Sequence, residues 1–417
     1  MAAILSSDTG TALIQRRTLR VLFGTQIVSG MGYAVGSSVG ALLAAELAGV
    51  GLSGLAQSAA VVGGALAAIP ANAIVHRHGR RPSLAAAYGV AAVGAVIVVL
   101  AAIQQSLPFL FLGYFLFGAG TAANLQARYT AVDLAPADRR GRHLSLIVWA
   151  TTIGAVAGPL LAAPAGAALA PYGIPTLAAP YAFSALLFII TAITLLALLR
   201  PDPALVAGTA GSSGQGRRLR DGLRAVLARG PAILGITAVA VGHMVMVGIM
   251  AMTPVHIRGA GHDAAHTLRI VGVVLSVHVA GMYAFAPAIG WLTDRIGRHA
   301  VILAGILLLL GACALAGGAG YDYVRLSAGL FTVGLGWSCT MVAGSTLLTE
   351  TVPLELRASA QGLSDLVMGL AGASAGALSG VVVSAWEYSG LAWAAALATL
   401  PLALLLLNQR RIVTTSR

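Results

Sequence analysis

Lysine is absent from the 417 residues, and all 25 basic positions are arginine. So uniform a choice reflects genomic compositional bias rather than chemistry. Charge of either sign is scarce as well. Only 9% of the residues are charged, against about 25% in soluble proteins. Apolar residues make up 58%, and the mean hydropathy is +0.89. Too little polar surface exists to cover a water-soluble globule of this size, so a soluble fold is excluded and the chain belongs in a bilayer. The only two cysteines, Cys313 and Cys339, lie inside apolar runs, where they are packing residues before they are a disulfide or metal pair. A nucleotide-binding loop, a nucleophile elbow and an HExxH pattern are all missing, which argues against an enzyme. Three histidines gather at His256, His262 and His266, but in a loop without assured register and beside Arg258, which disfavours a cation; no metal site is expected.

What remains is a succession of apolar runs. Crossing a hydrocarbon core of about 30 Å takes roughly 20 helical residues, and twelve runs meet that length, at about 19–47, 54–75, 83–104, 108–131, 143–166, 178–199, 231–254, 268–292, 300–318, 324–349, 359–384 and 389–408. Strands are excluded because the runs show no two-residue alternation and open edges are not tolerated in lipid. The expected fold is an all-α membrane protein with twelve transmembrane helices. Arginine fixes its orientation: 21 of the 25 fall in alternate loops and at the ends, Arg258, Arg269 and Arg325 fall on the opposite side, and Arg128 lies within a run. Arginine-rich loops stay cytoplasmic, which places both termini inside. The net charge of +12 is then a topology signal, not a nucleic-acid footprint.

The longest polar interruption, 200–230, divides the chain into halves at 1–199 and 231–417. Its Gly/Ser-rich stretch 208–216 precedes a segment with Leu219, Leu223, Val226 and Leu227 at helical spacing among arginines. That pattern fits an interfacial helix on anionic headgroups or a solvated basic linker.

The halves repeat one another. His76-Arg77-His78-Gly79-Arg80-Arg81 recurs 218 residues later as Asp294-Arg295-Ile296-Gly297-Arg298, and Asp133 recurs 217 residues later as Glu350. Pro136, Asp138 and Arg140 match Pro353, Glu355 and Arg357 at the same 217. Matched halves point to rocking between two states rather than a static pore.

The loop Gly290-x-x-x-Asp294-Arg295-x-Gly297-Arg298 resembles the signature loop of the major facilitator superfamily of secondary transporters, and the resemblance covers the whole chain. The first-half copy has Asn72 for the family's glycine and His76 for its aspartate. Gly113 to Gly120 resembles the family's arginine-glycine motif with Tyr114 at the arginine position. Gly154-x-x-x-Gly158-Pro159 is similar to the motif associated with antiporters, with Ala162 and Ala163 replacing its closing glycines. The resemblance implies two six-helix bundles, alternating access through a central cavity, and a location in the cell membrane.

The residues carry their own expectations. Gly79 and Gly297 suit loop positions of positive φ. Asp294, Arg295 and Arg298 are expected to cluster with Glu350, and Arg77, Arg80 or Arg81 with Asp133, forming a cytoplasmic gate. With His76 in place of an acid, the first-half cluster should be weaker or pH-sensitive. Ionisable groups inside spans are expensive and therefore functional candidates. Asp365, on a face with Gly362, Gly369, Gly372 and Gly376, is expected to be buried against a neighbouring helix; it is a candidate for proton coupling or for a structural bond. His243 and His278 either titrate, bind substrate or simply satisfy internal hydrogen bonds. Arg128 either attracts an anionic substrate or pairs with Asp133. Gln26, Tyr33 and Asn124 are candidate polar groups of the substrate cavity. The expected function is proton-coupled antiport exporting a small organic compound, with uptake as the alternative. The proton gradient is the expected energy source, no cofactor is expected, and the chain, seated in lipid, is expected to work as a monomer.

Overall fold

The computed structural model describes residues 8–136, 139–208 and 215–415, so Asp138 and most of the Gly/Ser-rich linker lie outside the described residues. Among the described residues every regular element is helical. This is the form in which each backbone N–H and C=O of an apolar segment finds its partner within the segment. Among the described residues eleven stretches are long and apolar enough to cross a membrane, the first Gly10–Ala48 and the last Ser359–Gln409. That last stretch has 51 residues and holds the final two of the twelve expected runs. At about 1.5 Å per residue it is more than twice as long as a hydrocarbon core is thick. It is broken at Trp386 and at Glu387, whose φ of 59° lies in the left-handed region.

The helices used below are α1 (Asp8–Ser37), α2 (Gly40–Ala48), α3 (Val50–Ser53), α4 (Leu55–His78), α5 (Arg80–Gln104), α6 (Leu107–Phe117), α7 (Ala119–Thr130), α8 (Arg140–Ala157), α9 (Ala162–Leu169), α10 (Ala179–Leu198), α11 (Pro203–Ala207), α12 (Gln215–Leu227), α13 (Gly230–Arg258), α14 (Ala264–Tyr283), α15 (Ala286–Ile296), α16 (Arg298–Gly317), α17 (Tyr323–Thr351) and α18 (Arg357–Leu397). They form two compact units. One comprises Met1–Leu47, Ala59–Ser213 and Asp263–Gly272; the other comprises Ala48–Ser58, Gly214–His262 and Val273–Arg417.

In the first unit α1 packs on α8 and α10, and α5 on α6 and α10. Its centre is aromatic. Phe117 stacks on Tyr33 at 5.2 Å between centroids and meets Tyr181 and Phe188 at 5.2 and 5.6 Å. Small residues allow the neighbouring helices to approach closely: a Cβ at Gly118 would lie 1.9 Å from the Ala60 carbonyl oxygen, and one at Gly63 would lie 1.8 Å from that of Phe115. Tyr114, at the position where the resemblance expects arginine, is buried and donates its hydroxyl to the Gly40 carbonyl at 2.9 Å. It thus pins the start of α2 rather than carrying charge.

In the second unit α16 packs on α17, and α13 on both α17 and α18. The later part of the linker forms α12. Ala225 and Val226 join a core with Ala232, Ile236, Leu348, Val352, Ala360 and Leu363, while Leu223 and Leu227 remain 43% and 63% exposed.

Candidate functional site

The turns between α4 and α5 and between α15 and α16 are made at Gly79 and Gly297, with φ of 93° and 90°. They place the duplicated charges at the starts of α5 and α16. In the first unit Arg80 forks onto Asp133, Nε to Oδ2 at 2.8 Å and Nη2 to Oδ1 at 3.0 Å. Its Nη1 donates to Gln126 Oε1 at 2.6 Å, and Gln126 Nε2 donates to Asn72 Oδ1 at 2.6 Å. The acid missing at His76 is supplied from elsewhere. Asp202 accepts the backbone N–H groups of Arg80 and Arg81 at 3.1 and 2.7 Å, and that of Ala204 at 3.0 Å. One carboxylate therefore caps the N-termini of both α5 and α11, where the helix dipole favours negative charge. Arg77 is exposed and does not pair with Asp133.

The second-unit cluster has the expected members, with one exception. Arg298 donates Nε to Glu350 Oε2 at 2.9 Å, bonds Oε1 through Nη2, and reaches Asp294 at 3.4 Å. Arg295 instead lies over the Trp291 ring, 5.1 Å from its centroid, a cation–π contact. The first-unit pair is the more buried of the two. The Arg80 and Asp133 side chains are 13% and 7% exposed, against 25% and 49% for Arg298 and Glu350. Breaking a largely buried pair costs more than breaking a solvated one. A Cβ at Gly290 would meet nothing within 4 Å, so contact does not explain a glycine there.

Two of the cavity candidates are joined by a residue that the sequence reading passed over. Tyr88, buried on α5, accepts from Gln26 Nε2 at 2.8 Å and donates to Asn124 Oδ1 at 2.8 Å. Ser29 Oγ also donates to Asn124 Oδ1, at 3.1 Å, and Thr151 donates to Gln26 Oε1 at 3.2 Å. Gln26, Ser29 and Tyr88 are fully buried, whereas Asn124 and Thr151 are partly exposed. Five polar residues on α1, α5, α7 and α8 thus form a network with two accessible members. Tyr33 belongs to the aromatic cluster around Phe117, not to this network. Arg128 does not pair with Asp133, and its Nε is buried with no partner among the described residues.

The antiporter-like motif forms the seam beside this network. A Cβ at Gly154 would lie 2.2 Å from the Ile27 carbonyl oxygen, one at Gly158 2.6 Å from Ala34 Cβ, and one at Gly30 2.8 Å from the Thr151 carbonyl oxygen. Pro159 follows in a short 3-10 turn, Pro159–Leu161. The α1–α8 contact is therefore backbone against backbone, as small residues permit in membrane helices.

In the second unit the two histidines are held as opposite tautomers. Trp337, whose indole only donates, gives its N–H to His243 Nδ1 at 3.2 Å, so the proton of neutral His243 is on Nε2. His278 is fully buried, and its Nδ1 lies 2.7 Å from the Leu330 carbonyl oxygen, so it carries its proton on Nδ1 and leaves Nε2 buried without a partner. Asp365 is exposed, and Cβ atoms at Gly362 and Gly369 would meet nothing within 4 Å. The burial expected for Asp365 is corrected: only the later part of the glycine stripe packs, Gly372 on His243 and Gly376 on Ser58. The three histidines expected in one loop are divided: His256 lies in the last turn of α13 and bonds the Gly320 carbonyl, His262 lies in the turn that follows and bonds Tyr323, and His266 is in α14. Among the described residues no cluster has metal-ligand geometry.

Comparison with known proteins gives a consistent result. The sequence model of the Major Facilitator Superfamily matches residues 21–268 and 262–415. The uncharacterized MFS-type transporter YdeG of Bacillus subtilis is 36% identical over 396 residues, covering 94% of this chain and 91% of that protein. The riboflavin transporter RfnT of Brucella anthropi is 25% identical over 368 residues, 86% of each chain. Among solved structures, a mutant of the nucleoside transporter NupG superimposes with a TM-score of 0.75 at 17% identity, over 95% of this chain and 99% of that one.

Proposed function

The chain belongs to the major facilitator superfamily, and from that premise we propose that it is a proton-coupled antiporter exporting a small organic compound by alternating access. It is a secondary transporter, not an enzyme, and a multi-pass integral protein of the cell membrane. The break at Trp386 and Glu387 supports twelve crossings, and the arginine distribution supports cytoplasmic termini.

The α1–α8 seam is the observation that carries the reading. Gly30, Gly154 and Gly158 bring the two backbones together, and the bond from Thr151 to Gln26 spans the same seam. A change in the seam therefore reshapes the polar network that offers Asn124 and Thr151 to a substrate. Asp365, exposed on a membrane-spanning helix, is assigned the coupling proton, because a carboxylate within a span is costly unless it is used. The gradient supplies the energy without a cofactor, and a single copy contains every residue invoked.

Uptake on the same scaffold is the second reading, favoured by Ala162 and Ala163 where the antiporter motif closes with glycine. The purified chain in proteoliposomes containing a pH-sensitive dye separates the two readings, with riboflavin as the first substrate tested. Antiport moves protons against the substrate flux; movement of both in one direction means symport.

A further inference from the structure

His243 is held differently from His278. Its Nδ1 is occupied as an acceptor by the Trp337 indole at 3.2 Å, and Trp337 is in turn packed edge-on by Tyr283 at 5.6 Å between ring centroids. The ring edge bearing Nε2 faces Gly372, where a Cβ would lie 2.8 Å from Cδ2 and 2.9 Å from Nε2. A side chain at 372 would collide with the ring edge that carries that N–H. His243 is partly exposed, unlike His278. The titratable groups on the packed elements are Tyr323, Arg325, Cys339 and Glu350 on α17 and Arg357, Asp365, Glu387 and Tyr388 on α18; Asp365 stands seven residues before Gly372, about 10 Å along the helix axis.

We infer that His243 is a substrate-binding residue, a neutral Nε2–H donor that Trp337 holds in one tautomer on a partly exposed ring, and that it recognises an uncharged ring compound through a carbonyl or ring-nitrogen acceptor. Riboflavin and nucleosides share that chemistry. The assignment rests on the transporter reading and refines it: a donor in place of a proton carrier. A second proton on the ring would have to go to Nδ1 and expel the indole N–H, leaving it unpaired. Trp337 is a positioning residue.

The test uses the full chain in nanodiscs with 15N-labelled histidine, and riboflavin and uridine as probes. The His243 resonance, identified by its loss in His243→Gln, is expected to show a bare Nδ1 and a protonated Nε2 from pH 5.5 to 8. It should shift on addition of at least one probe. Trp337→Phe should give a tautomer mixture that titrates. In proteoliposomes His243→Gln, whose amide reaches the Nε2 position, should keep transport within about threefold, whereas His243→Asn should raise KM about tenfold. Trp337→Phe should raise KM with kcat retained. If wild type transports neither probe, both the transporter reading for these compounds and this assignment fail. If it transports one and neither the resonance nor the KM of His243→Asn changes, the assignment alone is overturned. An Nδ1-protonated or doubly protonated wild-type ring overturns it as well.

Discussion

Asp202 occupies the space that a side chain at residue 79 would need: a Cβ on Gly79 would lie 2.5 Å from Asp202 Oδ2. The turn at Gly79 and the cap by Asp202 are therefore one device. The glycine permits a φ of 93°, and the space it leaves empty admits the carboxylate that binds the first two amides of α5.

Gly79→Ala should destabilise the protein more than Gly297→Ala. Both carry the backbone strain of a non-glycine residue in a glycine-only region, about 1–3 kcal/mol. At Gly297 a Cβ meets nothing within 4 Å, whereas at Gly79 it meets Asp202. Thermal unfolding of the two variants in detergent compares them directly, and equal losses would mean that the Asp202 contact contributes nothing.

Asp133→Asn should be the costlier of the two gate substitutions. It leaves the largely buried guanidinium of Arg80 without its charge partner, a loss of about 3 kcal/mol. Glu350→Gln affects a solvated pair and should leave the unfolding midpoint almost unchanged while altering the rate at which the carrier reorients. Midpoints measured side by side, with counterflow rates, test the order; a larger thermal loss for Glu350→Gln would refute it.

Tyr88→Phe keeps the ring packed on Phe188, 5.9 Å away, and removes the hydroxyl on which the polar network converges. Gln26 Nε2 loses its acceptor and Asn124 a donor, costing about 1–3 kcal/mol. Substrate KM should rise several-fold in a variant that still folds. Unchanged KM would separate the network from the substrate site.

Asp365→Asn should abolish gradient-driven transport while leaving counterflow, which needs no net proton movement, intact. Full gradient-driven export by a folded Asp365→Asn protein would falsify the coupling assignment.

Much of the fold was legible because a bilayer imposes simple constraints. The scarcity of charge, the length of the apolar runs and the arginine asymmetry each follow from the cost of polar groups in hydrocarbon. The duplication was visible because Gly79 and Gly297 require the same backbone and Asp133 and Glu350 the same partner. Asp202 carried a local cap signal, an aspartate before Pro203, but nothing local indicated that it also caps α5. Tyr88 stood out only as one hydroxyl in an alanine-rich run, and Trp337 as one aromatic residue among several.

The sequence by itself determined a membrane-spanning helical chain, its duplicated halves and the identity of its few charges, because these depend on composition and on short-range periodicity. Only the tertiary structure decided which groups meet. It gave Arg80, not Arg77 or Arg81, to Asp133, joined Gln26 to Asn124 through Tyr88, left Asp365 exposed and fixed opposite tautomers on His243 and His278. Each of these rests on a hydrogen bond or a close approach between helices far apart in the chain, and such geometry is set by packing rather than by any local pattern.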